Sequence, residues 1–225
     1  MVANVLDRLR KLRARRRKAP ENKPTQLKPK PLYQAKRSLG TEQRWQMIGA
    51  HLDEEDQSLL DIGCNLGRMT RYAADRGLFA LGIDPQQRAI ASAREANHDV
   101  PYLSFMRSEI TPEMMPKIPS FDVILCLSVY HYWMKLYGET EAWSMVARLI
   151  ERSKRKFFFE PASLLKKYGP HPPPGVLDLD RDGLVDYHLT GLRAAAGSCW
   201  TVMHLGESAC LGPEPFRLLF LLTRT

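Results

Sequence analysis

The chain reads as an α/β fold: a doubly wound, mostly parallel sheet that ends in a C-terminal antiparallel hairpin and carries a basic N-terminal extension. Three observations predict this. Short apolar runs alternate regularly with segments of helical periodicity, as parallel strands joined by crossover helices must. The run Phe121 to Leu127 is almost continuously apolar, which suits a strand buried on both faces. The last apolar stretches, Cys199 to Leu205 and Phe216 to Thr223, are separated by a loop with no helical pattern between them, so they pair as neighbours.

The elements follow in order. Thr41 is placed to cap a helix carrying Trp45, Ile48 and Leu52, since a hydroxyl there accepts from an unpaired backbone N–H. A first strand covers about Ser58 to Ile62, and a helix runs from about Arg68 to Arg76, stopped by Gly77. The second strand is about Phe79 to Ile83. Pro85 then opens a helix reaching about Ala96, because proline has no N–H to lose in the first turn. Pro101 to Met106 is the third strand, Phe121 to Leu127 the fourth and Lys156 to Phe159 the fifth, with a helix over Glu139 to Arg152. After His171-Pro172-Pro173-Pro174-Gly175, read as an ordered loop or lid, a helix is expected over Leu184 to Ala195.

Size and composition bound the answer. The 225 residues fit one α/β domain with a modest extension. Cys64, Cys126, Cys199 and Cys210 lack paired metal-ligand spacing and read as reduced thiols. The longest apolar runs are too short for a membrane span, and the N-terminus lacks a secretory signal's apolar centre. A cytoplasmic location without a transmembrane segment is the expectation.

The formal charge of +8 is unevenly spread. Residues 1–37 hold 13 Lys/Arg against 2 Asp/Glu, a balance of +11, whereas residues 38–225 hold the other 20 and 23, a balance of −3. The organisation expected is therefore an extension over 1–37 and the α/β domain over 38–225. Val2, Val5, Leu6, Leu9 and Leu12 fall at helical spacing among the basic residues, and Ala19 to Leu32 turn to Lys and Pro. This predicts a short basic amphipathic helix followed by an extended tether. Such an arm is a solvated tail, a holder of RNA phosphates, or a contact for an anionic membrane surface or partner. With no aromatic residue before Tyr33, it can hold a polyanion but has nothing to stack on bases.

The most telling stretch is Leu59-Leu60-Asp61-Ile62-Gly63-Cys64-Asn65-Leu66-Gly67, followed by Phe79-Ala80-Leu81-Gly82-Ile83-Asp84. An apolar strand entering a small-residue turn, then a helix, then a strand ending in an acid, makes a nucleoside pocket. A pyrophosphate site requires G-x-G-x-x-G. Counted from Gly63, the second glycine position is Asn65 and the third Arg68. A ligand without phosphates therefore suits the turn better, with Asp84 placed to accept from both ribose hydroxyls.

These residues resemble class I S-adenosylmethionine-dependent methyltransferases, whose first motif is similar to D-I-G-C-N-x-G. The resemblance covers residues 38–225, since such enzymes also end in an antiparallel hairpin. It implies S-adenosyl-L-methionine as cofactor, with Asp61, Gly63, Asn65 and Gly67 around its amino-acid end and Asp84 on the ribose. It further implies that Ser108 or Glu109, after the third strand, meets the adenine amino group, and that Ser128, after the fourth, completes the cofactor site.

Methyl transfer is an in-line displacement, so the protein must align the acceptor, exclude water and in some cases remove a proton. Tyr130, His131 and Tyr132 follow Ser128 at a strand end and are candidates for this work, His131 being either a catalytic contact or a packing residue; Trp133 is expected to pack. Glu160, at the end of the fifth strand, is a base, a substrate-binding acid or a helix cap. Lys166, Lys167, Tyr168 and His171 offer a basic rim for an anionic acceptor or a solvated face.

Leu125 to Tyr168 resembles RNA 5′-phosphate methyl-capping enzymes of the bicoid-interacting type, although Tyr130-His131 replaces the Lys-Trp pair of that family. The same region is similar to bacterial methyltransferases of tRNA wobble-uridine modification or of sugar and secondary-metabolite assembly. The expectation is methyl transfer to an oxygen, with RNA ahead of a small molecule. The alternatives are a small-molecule or lipid-linked sugar methyltransferase with a membrane-surface arm, and a non-catalytic RNA-binding or scaffold protein on the same fold.

Overall fold

The computed structural model describes residues 31–162, 175–209 and 216–225. The expected arm helix, the tether up to residue 30, residues 171–174 of the Pro-rich loop and Lys166, Lys167 and Tyr168 lie outside the described residues, whereas Pro31 and Leu32, expected to end the extended tether, are helical. Chain contacts divide the protein into Met1–Leu32 and Tyr33–Thr225, and the architecture below is that of the second unit.

Its elements are α1 (Pro31–Gly49), β1 (Ser58–Ile62), α2 (Arg68–Asp75), β2 (Phe79–Asp84), α3 (Gln87–Ala96), β3 (Leu103–Arg107), β4 (Phe121–Leu127), α4 (Tyr130–Arg152), β5 (Ser153–Glu160), α5 (Arg181–Ala196), β6 (Trp200–Ala209) and β7 (Phe216–Arg224). The seven strands form one sheet in the order β3-β2-β1-β4-β5-β7-β6. The first five are parallel, and β7 enters antiparallel between β5 and β6.

Side chains alternate across each strand, so the runs that look uniformly apolar in sequence divide between two layers. Leu60, Ile62, Ile124, Cys126, Phe157 and Phe159 face one core, packed by Trp133, Met145 and Leu149 of α4 and Leu192 of α5. Leu59, Val123, Leu125 and Phe158 face the other, with Ile48 of α1 and Met69 and Ala73 of α2. Cys64 and Cys126 are buried, and Cys199 is exposed.

Register lines up the carboxyl ends of the parallel strands. Ile62 pairs with both Ile83 and Cys126, Asp84 with Arg107, and Leu127 with Glu160. Asp61, Asp84, Ser108, Ser128 and Glu160 thereby gather along one edge of the sheet. Because Phe159 pairs with Phe220 in the antiparallel direction, Arg217, three residues before Phe220 in β7, lies beyond the end of β5 and on that same edge.

Two helices begin earlier than their sequence signals suggest. Thr41 does not cap α1; the helix starts at Pro31 and Thr41 lies within it. Proline at the start of a helix costs no hydrogen bond, and no further proline interrupts residues 32–49. Leu52 falls after the helix but is still buried in the α1–α2 core. In α4, Tyr130 to Tyr137 are helical rather than loop, and only Gly138 departs, at φ 81° and ψ 173°. The periodicity visible from Glu139 onward is the second part of a helix broken at that glycine. Pro85 likewise precedes the helix it was expected to open, since α3 starts at Gln87 with Gln86 at its N-cap.

Candidate active site

The carboxyl edge of the sheet opens into a cavity of about 730 Å³, lined by Asp61, Gly63, Asn65, Asp84, Ser108, Glu109 and Ser128 among others. Those seven come from the ends of four strands, β1 to β4, and the turns that follow them. Ligand pockets of this kind run from about 300 to 1,000 Å³.

The turn after β1 is built by left-handed backbone. Gly63 has φ 75°, and a Cβ there would stand 2.5 Å from Val129 Cγ2. Its N–H donates to the Ile83 carbonyl at 2.8 Å, fixing the turn against β2. Gly67 also has φ 75° and caps α2; a Cβ would meet the Phe105 ring at 2.3 Å. Gly67 does not line the cavity. Its work is to let α2 pack closely on β3, and Asn65, at φ 51°, turns the chain between the two.

The two acids have different environments. Asp84 accepts from the Asn65 N–H at 3.0 Å through one oxygen and from the Gln86 N–H at 2.8 Å through the other. Each oxygen keeps a further acceptor site. Asp61 is buried under the turn and accepts from Thr70 Oγ1 at 2.7 Å. Burial pushes its carboxyl up to about 6, against the lowering effect of Thr70 and of the Arg44 charge.

The acceptor-side candidates are placed differently from the sequence expectation. Tyr130 is fully buried, its ring 4.8 Å from Trp143 and 5.4 Å from Phe159 between centroids. It sits in the hydrophobic core because the first turn of α4 aims it back over the sheet. His131 is also buried and packs on Tyr132 at 4.2 Å. Neither belongs to the cavity lining. Tyr132, Trp133 and Leu136 line it instead, with Tyr132 and Leu136 well exposed at its mouth.

Glu160 is fully buried and anchors two ion pairs. Its carboxylate accepts from Arg44 at 2.9 and 3.0 Å, from Arg217 at 2.9 Å and from the Ser128 hydroxyl. Burial alone would raise its pKa, but the Arg44 and Arg217 charges and these hydrogen bonds outweigh it and hold the carboxyl below the usual carboxylate range.

Arg44 and Arg217 both line the cavity and were not sequence candidates. Arg217 left one legible trace, a lone charge inside the apolar run Phe216 to Leu222. Arg44 left none, because an arginine on an amphipathic helix is ordinarily solvated.

The residues present fit an adenosyl cofactor. Ile83, Ala89 and Ile110 supply apolar walls beside the acceptors of Asp84, Ser108 and Glu109, and the turn lacks the second and third glycines that a pyrophosphate site requires. An acceptor-rich, partly apolar end suits hydroxyls and an exocyclic amine.

Fold and site together define a class I S-adenosylmethionine-dependent methyltransferase fold. Residues 60–152 match the family model described as "Methyltransferase domain". A tRNA U34 carboxymethyltransferase of Azotobacter vinelandii is 29% identical over 94 residues, which is 40% of this chain and 28% of the relative. Among solved structures, the bifunctional kinase-methyltransferase WbdD superposes with a TM-score of 0.63 at 23% identity, covering 80% of this chain and 39% of WbdD. Magnesium protoporphyrin IX methyltransferase (ChlM) of Synechocystis PCC 6803, crystallised with bound SAM, gives a TM-score of 0.56 at 15% identity, covering 85% and 80%. The chain thus spans well under half the length of the tRNA relative and of WbdD. Among the described residues, no helix is long and apolar enough to cross a membrane.

Proposed function

We propose that the chain is an S-adenosylmethionine-dependent methyltransferase that methylates an oxygen of an RNA acceptor. The observation carrying the cofactor assignment is Asp84, held by two backbone N–H groups at the cavity wall next to a turn unsuited to pyrophosphate. S-adenosylmethionine, when bound, supplies an electrophilic methyl group on a sulfonium. The chain's own residues do the rest. Asp84 would hold the ribose hydroxyls, Ser108 or Glu109 the adenine amine, and Asp61, Gly63 and Asn65 the amino-acid end. Tyr132 and Leu136 would cover the mouth, excluding water and orienting the acceptor. His131, buried behind Tyr132, would act by positioning that ring.

The RNA reading is supported by the basic arm and by the similarity to a tRNA-modifying enzyme. Isothermal calorimetry tests the cofactor: S-adenosylmethionine should bind and NAD should not, with Asp84→Ala weakening binding about ten- to a hundredfold, as loss of hydrogen bonds to a charged group does. Labelled methyl transfer into cell extract tests the acceptor. Label released by nuclease supports RNA, whereas label in a nuclease-resistant sugar, lipid or small-molecule fraction replaces it.

A further inference from the structure

Asp61 and Asp84 both line the cavity, and they are held in different ways. Asp84 takes a backbone N–H on each oxygen. Asp61 is 3% exposed and accepts from the Thr70 hydroxyl at 2.7 Å through Oδ2, with the Thr70 N–H drawing on the same carboxylate. Thr70 stands in the first turn of α2, where a backbone N–H has no partner inside the helix. It is fully buried and does not line the cavity. Its hydroxyl therefore reaches a ligand only through Asp61.

The groups around Asp61 suit a cation that arrives with the ligand. Arg44 of α1 is the cation that acts on it, and its guanidinium is bonded to Glu160 at 2.9 and 3.0 Å. Asp84, at the end of β2, opposes ionisation of Asp61. The thiols of Cys64 in the turn and Cys126 in β4 are its remaining titratable neighbours; burial first and the Asp61 charge second push both upward, so they stay neutral. Among the described residues Asp61 forms no ion pair. A carboxylate buried in this way is costly to ionise alone and far easier to ionise beside a positive charge.

We propose that Thr70 is a positioning residue for the cofactor: it holds Asp61 as the receptor for the ammonium of the cofactor's amino-acid end, and Asp61 gives up its proton as that ammonium arrives. This rests on the methyltransferase reading, with Asp61 at the amino-acid end of the ligand. The proton leaves an Asp61 oxygen for solvent, the ammonium keeps its own three, and the pair that remains is neutral. No covalent bond other than that O–H changes. The Thr70 hydroxyl donates to the ionised carboxylate, so it eases the ionisation and fixes the rotation of the carboxylate before the ligand enters. Burial pushes the Asp61 carboxyl up to about 6, which puts the exchange in a range where binding can be measured on either side of it.

The test compares S-adenosylhomocysteine with 5′-methylthioadenosine, which keeps the nucleoside and the thioether and lacks the amino acid, by calorimetry on the full chain between pH 5 and pH 7.5. S-adenosylhomocysteine should bind about tenfold more tightly at pH 7 than at pH 5, and at pH 6 the buffer dependence of the heat should show about half a proton released per ligand, as one group titrating near 6 dictates. The affinity of 5′-methylthioadenosine should change less than about threefold over the same range, with no proton released. Thr70→Val should move the midpoint of the S-adenosylhomocysteine profile upward by about one pH unit, because a hydrogen bond to the charged form is lost, and leave 5′-methylthioadenosine affinity as it was. Thr70→Ser, which retains the hydroxyl, should keep the wild-type profile. The same pH dependence for both ligands, no proton released at pH 6, or an unshifted profile in Thr70→Val overturns the proposal. So does a Thr70→Val protein that loses affinity evenly at every pH and for both ligands, the behaviour of a merely structural residue. The wild-type proton count needs no variant, so the proposal can fail even where Thr70→Val does not fold. Failure of both ligands to bind at any pH would instead overturn the methyltransferase reading.

Discussion

Asp61 carries an energetic cost that its sequence position does not reveal. Buried and pushed up to about 6 from 3.8, it keeps its proton in the folded protein across a window in which the unfolded chain has released it. The native state binds more protons there, so stability falls as pH rises from about 4 to 6, by up to about 3 kcal/mol. Asp61→Asn should remove that slope and raise stability at pH 7.5, read as the difference in urea midpoints between pH 4 and pH 7.5 for the two proteins. Glu160 behaves oppositely. Its lowered pKa contributes stability above the unfolded value of 4.5 that is lost as pH falls through the folded one. Glu160→Gln leaves two partly buried guanidiniums without their anion and should cost about 3–5 kcal/mol, showing as a large fall in thermal midpoint; a variant that lost turnover at unchanged stability would restore Glu160 as a base.

At the scale of elements, the active-site edge depends on backbone that only certain residues tolerate. Gly138 divides α4 at φ 81° and ψ 173° with nothing within 4 Å of a Cβ. Gly138→Ala therefore probes conformation alone and should destabilise by about 1–3 kcal/mol in equilibrium unfolding. Gly67→Ala combines a left-handed φ with a clash on the buried Phe105. It should cost more than Gly138→Ala and also weaken S-adenosylhomocysteine binding, since α2 and its preceding turn must shift together. The strands were legible because each has its own signal: an apolar run, a bounding glycine or an acid at its end. The beginnings of α1 and α4 were not. The Pro31 start competes with a better-looking cap at Thr41, and the aromatic cluster at Tyr130 to Trp133 has no helical spacing that separates it from a strand-end loop.

The whole molecule joins a slightly acidic domain to a strongly basic arm, residues 1–30 holding 11 Lys/Arg against 2 Asp/Glu. Since α1 begins at Pro31 and supplies Arg44, a truncation that tests the arm should stop at residue 30 and leave the helix whole. Removal of 1–30 should weaken polyanion binding and flatten its dependence on salt, because fewer counterions are released. S-adenosylhomocysteine affinity should stay the same. Fluorescence anisotropy with a labelled oligoribonucleotide at several salt concentrations measures the first, and calorimetry the second; unchanged salt dependence would assign RNA contact to the domain.

By itself the sequence determined the fold class and the wall of the cavity built by the turns after β1 and β2. Asp61, Gly63, Asn65 and Asp84 lie within a single strand–turn–helix–strand unit, where spacing along the chain fixes spacing in space. Tertiary structure decided the wall beyond β4. Arg44, Ser128, Glu160 and Arg217 come from α1, the loop after β4, β5 and β7, and they meet only because β7 inserts antiparallel beside β5. Their electrostatics follow from that meeting. A strand-end acid that could pass for a base becomes a buried counter-ion once two guanidiniums close on it, and no local pattern records an encounter between residues as many as 173 positions apart.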